Sequence, residues 1–158
     1  GLLSGDCTLA LVGNGPDRLR LEALVEELGL GHRVRWMPWV KSNEVAEYMN
    51  AFDAMVLPSR TIRTWKEQFG RVLVEAMACE TCVVGSDSGE IPNVIGDAGM
   101  VFHEGDEREL ADQLRKLMDD SSLRESIGRR GRERVLQHYT HEVIARDTAA
   151  FYEQVCRS

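Results

Sequence analysis

Residues Phe69–Cys79 read FGRVLVEAMAC, and after Glu80-Thr81 the chain continues CVVG at Cys82–Gly85. The first run sets apolar side chains at helical spacing and predicts a helix over 69–79, with Gly70 where it begins. The second is a short continuous apolar run and predicts a strand. Upstream, TLALV at Thr8–Val12, VRWM at Val34–Met37 and AMVL at Ala54–Leu57 predict three more strands. Gly13-Asn14-Gly15-Pro16-Asp17, Pro38 and Pro58-Ser59 stop them. Downstream, GMVF at Gly99–Phe102 predicts a last strand. Helices are predicted over 18–28, 43–50 with Ser42 as candidate cap, 91–95, 107–118, 123–137 and 141–155. Gly29 suits the end of the first of these.

Strands alternating with helices imply an α/β fold: a Rossmann-like parallel sheet with helices on both faces. The expectation is a single domain over 1–158, with no repeat and no linker. In such sheets ligands sit beyond the carboxyl ends of the strands. The loops to watch are therefore 13–17, 38–42, 58–70 and 86–92.

With 158 residues and 43% hydrophobic content, the chain can bury a core. Its 26 acidic and 19 basic residues leave a net charge of −7. That disfavours nucleic acid as a partner, because a phosphate backbone needs a basic surface. A single nucleotide is not excluded, since helix N-termini and one or two cations can hold a diphosphate. No apolar run approaches membrane-spanning length. The opening Gly1-Leu2-Leu3-Ser4 lacks both a Met and a signal-peptide pattern, so a piece of a longer protein is expected. Cys7, Cys79, Cys82 and Cys156 are too scattered for a disulfide framework, which points to a reducing cytoplasm.

The segment before the main helix, Ser59–Glu75, reads SRTIRTWKEQFGRVLVE, with Arg60–Lys66 polar and irregular. A glycine at position 70 lets a ligand approach the backbone closely. The amides of Phe69, Gly70 and Arg71 then suit an anion, helped by the helix dipole. Glu67 and Glu75 would lie about 12 Å apart along the helix axis, near the span of a diphosphate with a sugar at one end and a ribose at the other. Carboxylates accept paired hydrogen bonds and suit vicinal hydroxyls. The same spacing is that of a dipole-favoured glutamate followed by a solvated one, and on spacing alone that plainer reading is favoured, because acidic residues abound at helix starts.

The segment resembles the E-x7-E motif of retaining glycosyltransferases of family 4, which have the two-domain GT-B fold. The resemblance runs almost end to end: VGNGPDR at Val12–Arg18, LPS at Leu57–Ser59, EQFGRVLVEAMAC at Glu67–Cys79 and SGEIPNVIGDAG at Ser88–Gly99. It implies that Glu67 contacts hydroxyls of the transferred sugar and is the catalytic-site residue, without acting in proton transfer. Glu75 would bind the ribose. Backbone groups of Phe69, Gly70, Arg71 and Val72 would approach the diphosphate, and Met37 and Pro38 would border the base. Gly13, Gly15 and Ser59 complete the donor-binding set. The donor is a nucleoside diphosphate sugar taken as substrate. No cofactor and no bound metal are implied, and the reaction would be a front-face, retaining displacement assisted by the donor phosphate.

Three departures from the family pattern stand out. Glu80 occupies the place of a helix-ending glycine, where a left-handed backbone costs about 1 kcal/mol. Cys82 replaces a proline, and a double glycine appears as Ser88-Gly89. The family's preceding strand, its glycine-arginine-lysine stretch and the N-terminal acceptor domain are absent from these residues. The missing strand would lie between 8–12 and 54–57, leaving unpaired backbone unless those two strands pair directly or another chain fills the gap. The 158 residues alone are therefore expected to bind nucleotide weakly and not to transfer sugar. Membrane association is expected only through the full-length protein, peripherally on the inner face.

Other readings stay open. Gly13-Asn14-Gly15 lacks the third glycine of a dinucleotide fingerprint, having Arg18 there. Cys79/Cys82 reads as an inert pair, His138/His141 as surface residues, and Arg124–Arg134 as a solvated helix face. Arg60, Arg63 and Lys66 are the nearest cations to the site and suit either solvent or an anionic ligand. The functional alternatives are a non-catalytic nucleotide-binding module and a nucleotide-sugar epimerase-like domain.

Overall fold

In a computed structural model, residues 2–3 and 5–157 are described; Gly1 and Ser4 of the opening segment, and Ser158, lie outside them. The chain divides into two compact units, Gly1–Val45 and Ala46–Ser158.

The first unit pairs two parallel strands, β1 (Leu9–Val12) and β2 (Val34–Met37), in register Leu9 to Val34 through Val12 to Met37. Helix α1 (Arg18–Glu27) connects them. It ends as expected: Gly29 takes φ +65°, and the amides of Gly29 and Leu30 reach back to the carbonyls of Glu26 and Val25. Its apolar residues are less covered than an amphipathic reading predicts, and Leu19 is 79% exposed. Val34 is the one buried residue of this unit among those described. Arg33 pins the chain start by donating to the carbonyls of Leu3, Gly5 and Cys7.

The second unit has the order α2 (Val45–Ala51), β3 (Ala54–Leu57), α3 (Arg71–Ala78), β4 (Cys82–Ser86), α4 (Ile91–Ile95), β5 (Met100–Phe102), α5 (Glu107–Asp119), α6 (Ser121–His138) and α7 (His141–Cys156). β3, β4 and β5 form a parallel sheet in that order. All five residues of β4 are buried. Successive side chains alternate faces, so both faces must be covered. Cys82 and Val84 pack with Phe102 of β5, Leu117 of α5 and Ile127 of α6. On the opposite face Gly85 lies against Ile91 and Ile95 of α4, which leave no room for a Cβ. The expected α/β class with helices on both faces is thus found in this unit.

Within its own unit each strand is paired: β1 with β2, and β3 and β5 with β4. Several boundaries differ from expectation. Helix α3 starts at Arg71 rather than Phe69, because Gly70 adopts a left-handed backbone (φ +75°, ψ +53°) that cannot continue a helix. Helix α2 starts at Val45, so Ser42 is not its cap. Helix α6 starts two residues early because the Asp120 carboxylate accepts from the Leu123 amide.

Glu80 has a positive φ of +59°, as its place in the family pattern predicts. Gly128 of α6 packs against the Glu80 backbone and Gly131 against Met77, so two glycines bring α6 close to the end of α3. The arginines of α6 are not a plain solvated face. Arg132 donates to the Ala78 carbonyl at the end of α3, and Arg124 to Leu117 in the last turn of α5. Arg134 donates to Asn93 and Val94 in α4, at 2.7 and 2.8 Å. Each guanidinium meets carbonyls left unpaired at a helix end, where the dipole also favours a cation. Cys82 is buried, and that burial pushes its thiol pKa up to about 11, so it stays a neutral thiol.

Candidate functional site

Three loops leave the carboxyl ends of β3, β4 and β5: 58–70, 87–90 and 103–106. The loop after β3 is more ordered than its polar sequence predicts. Ile62 and Trp65 exchange both backbone hydrogen bonds, at 2.9 and 3.2 Å, so residues 62–65 form a tight hairpin. Thr61, at its base, donates its amide to the Glu104 carboxylate at 2.9 Å. Its hydroxyl meets that of buried Ser88 at 2.9 Å. The Thr61 amide, then its hydroxyl and more weakly that of Ser88, hold the Glu104 carboxyl below its ordinary range.

Glu67 closes the loop. Its carboxylate accepts the Gly70 amide at 3.1 Å and the Ser59 hydroxyl at 3.3 Å. The Ser59 carbonyl in turn accepts the hydroxyl of fully buried Ser86 at 2.6 Å. The backbone of Glu67 is held from the β4 side, where its carbonyl accepts the Glu90 amide at 3.1 Å. Gly89, at φ +63°, lies so close to that carbonyl that no Cβ fits. Gly89 is therefore the element of the 87–90 loop that lets Glu67 sit where it does. It stands in the double-glycine position of the sequence pattern, but its contact with Glu67 is a long-range fact that no local pattern carries.

The sequence reading offered the Gly70 amide to an anion; here Glu67 takes it. The amides of Arg71 and Val72 have no protein acceptor among the described residues and point the helix dipole outward. A Glu67 carboxylate with two protein donors retains acceptor capacity for two more hydrogen bonds. The Arg71 guanidinium lies 3.2 Å from Glu75, one turn on, with 80% of its side chain exposed. The two residues expected at the diphosphate and the ribose thus form an ion pair with each other. The Phe69 ring packs edge-on against Tyr139, with centroids 5.7 Å apart, so that side chain belongs to the fold and only its backbone borders the site.

An open cleft of about 400 Å³ lies beside this helix start, lined by Thr64, Trp65, Lys66, Glu67, Gln68, Gly89 and Glu90. Glu67, Gly70, Arg71, Val72, Ser59 and Glu75 all belong to the second unit. The first unit brings together Gly13 and Met37, whose amide and carbonyl bond at 3.1 Å. Gly13 takes φ +108°, a backbone that favours glycine, whereas Gly15 takes no such conformation. Arg18 stands 5.0 Å over the Trp36 ring, next to Met37 and exposed Pro38.

Among the described residues no group of three or more His, Cys, Asp or Glu is placed to hold a metal ion. No helix there is long and apolar enough to cross a membrane.

Known proteins match this arrangement. The N-acetyl-alpha-D-glucosaminyl L-malate synthase of Bacillus anthracis is 38% identical over 154 residues, covering 96% of this chain and 39% of that protein. The sucrose-phosphate synthase of Thermosynechococcus elongatus superposes with a TM-score of 0.82 at 31% identity, over 95% of this chain and 39% of its own. Anabaena Alr3699/HepE in complex with UDP-glucose superposes with a TM-score of 0.78 at 25% identity, over 93% and 41%. The chain thus spans about two fifths of the length of these relatives. The family model of glycosyl transferases group 1 matches residues 3–134, which is most of the chain. By that match, this chain belongs to the group 1 glycosyl transferases.

Proposed function

We propose that this chain is the donor-binding part of a retaining glycosyltransferase of family 4, which takes a nucleoside diphosphate sugar and passes the sugar to an acceptor held mainly by the rest of a longer protein. The observation that carries the reading is the start of α3. There a half-committed carboxylate, Glu67, lines a cleft at the strand ends, and two free amides and the Arg71–Glu75 pair follow it in the first turns of the helix. HepE, solved with UDP-glucose, supports the ligand class.

In this reading Glu67 orients hydroxyls of the transferred sugar, with Ser59 and the Gly70 amide fixing its carboxylate. Phe69, Arg71 and Val72 present backbone groups to the diphosphate. Glu75 exchanges its Arg71 partner for the ribose hydroxyls, which frees the guanidinium for phosphate. In the first unit, Gly13, Gly15, Met37 and Pro38 are the residues the resemblance offers to the nucleotide. The chemistry is a front-face displacement in which the donor phosphate assists the incoming hydroxyl. In this reading it uses no bound metal, because Glu67 and Glu75 are given to hydroxyls of the sugar and of the ribose. A cytoplasmic location belongs to the same proposal and fits four free cysteines.

The test is donor hydrolysis or transfer by the full-length protein, followed by NMR of the first anomer released. A retained configuration, at a rate unchanged by EDTA, is expected. An inverted product, or loss of activity with EDTA, contradicts the mechanism.

A further inference from the structure

The 62–65 hairpin is held at its base by a set of polar contacts. Thr61 is bonded to Glu104 and Ser88, the Glu104 amide donates to Asp87 at 2.8 Å, and Glu67 closes the far end on Gly70 and Ser59. The cations the hairpin carries are treated differently. Arg60, Arg63 and Lys66 are all exposed, and among the described residues none has an ion pair or a side-chain hydrogen bond. Elsewhere pairing is the pattern: twelve of the chain's sixteen arginines pair (18, 20, 33, 35, 71, 115, 124, 129, 132, 134, 146 and 157), as does Lys116. Among the described residues Arg108, Arg130 and Lys41 are the remaining cations without an ion pair or a side-chain hydrogen bond, each isolated in sequence from the others rather than gathered on one loop. Acidic residues outnumber basic ones 26 to 19 in this chain, so partners are not scarce. Three unpaired cations within seven residues, on a loop fixed at both ends, make the hairpin itself positive on an acidic protein, beside a cleft whose other charged lining is Glu67 and Glu90. Lys66 and the half-exposed Trp65 line the same cleft as Glu67. An uncommitted charge on a pre-ordered support loses little entropy on binding an anion.

Building on the donor-site reading above, we propose that the Arg60–Lys66 hairpin is a specificity element for an anionic substrate: Lys66 and Arg63 take a carboxylate or phosphate carried next to the reacting centre, either on the transferred sugar or on the acceptor. The hairpin is distinct from the diphosphate site, which falls at Arg71 and Val72. Arg60, whose guanidinium lies over Gly105, extends this positive charge toward the loop after β5.

The test uses the full-length protein and the double variant Arg63→Glu/Lys66→Glu, with Lys66→Arg as the conservative control. Calorimetry with UDP, GDP and ADP first fixes the base. Glucose and glucuronate donors of that base follow, and then glucose and glucose 6-phosphate as acceptor probes in the presence of the nucleoside diphosphate. The double variant is expected to bind the bare diphosphate within about twofold of the parent. It should lose tenfold or more toward an anionic probe relative to its neutral counterpart, and Lys66→Arg should retain most of that preference. Loss confined to glucuronate places the anion on the sugar; loss confined to the phosphorylated acceptor places it there. Equal affinities of parent and variant for all probes overturn the inference, as does an equal loss for the bare diphosphate, which would make these cations phosphate ligands. If the parent binds none of the three diphosphates, the donor-site reading itself falls.

Discussion

Replacing Gly89 by alanine tests the link between the fold and Glu67. The added Cβ would stand 2.8 Å from the Glu67 carbonyl carbon and 3.1 Å from its nitrogen, with the carbonyl oxygen closer still. Ordinary contact needs 3.4 Å or more, so one backbone must move away from the other. Three costs follow. A left-handed alanine costs about 1–2 kcal/mol. Forcing backbones apart in a packed loop costs about 1–3 kcal/mol. Weakening the bond from the Glu90 amide to the Glu67 carbonyl costs about 0.5–1.5 kcal/mol. Gly105→Ala is the matched control: its φ is +83°, but its nearest neighbour is the Arg60 guanidinium at 3.8 Å, so it bears only the first cost. Urea unfolding of both variants should place Gly89→Ala about 1.5–4.5 kcal/mol below Gly105→Ala. Donor binding should fall with it, because the displaced backbone carries the Glu67 carboxylate. If the two variants are equally stable, the close approach of Gly89 to Glu67 is wrong, and with it the account of how Glu67 is held.

Three further outcomes are expected. Glu80→Asn should raise stability by about 0.5–1 kcal/mol in urea unfolding, because asparagine tolerates the left-handed backbone and the lost ion pair to Arg132, 3.7 Å long between half-exposed side chains, is worth little. Arg134→Ala should cost about 1.5–3 kcal/mol by losing two charge-assisted bonds to α4, and lysine, with no planar fork, should restore only part of it in the same assay. His103 has its pKa raised above the ordinary 6.5, first by its hydrogen bond to Glu109 and then by the charges of Glu109, Asp87 and Asp106. A raised folded-state pKa stabilises the fold below 6.5 and loses that contribution as pH rises through the folded value. NMR titration should therefore show the His103 transition move down in Glu109→Gln, with the matching pH-dependence of stability reduced to what Asp87 and Asp106 still contribute.

What was legible in the sequence followed from local pattern. Apolar runs placed all five strands, and Gly29 and Glu80 announced left-handed residues where they occur. What was not legible depends on contacts distant in sequence. The 62–65 hairpin turns on Arg63-Thr64, which carry no glycine or asparagine signal. The late start of α3 comes from Gly70 and a carboxylate three residues back, not from propensity. The arginines of α6 read as solvated because their acceptors lie in three other helices. Ser86 was a further usable hint at the site, as a hydroxyl closing the apolar run Cys82–Gly85, which must be bonded if buried.

The central claim is that Glu67 and Glu75 hold the two hydroxyl-bearing ends of a nucleotide sugar, and calorimetry on the full-length protein tests it most directly. Glu75→Ala should weaken a bare nucleoside diphosphate and its sugar-bearing form alike, by about 10–100-fold for a charged hydrogen-bonding group. Glu67→Ala should weaken only the sugar-bearing form. Unchanged affinity for both ligands in both variants would contradict the account.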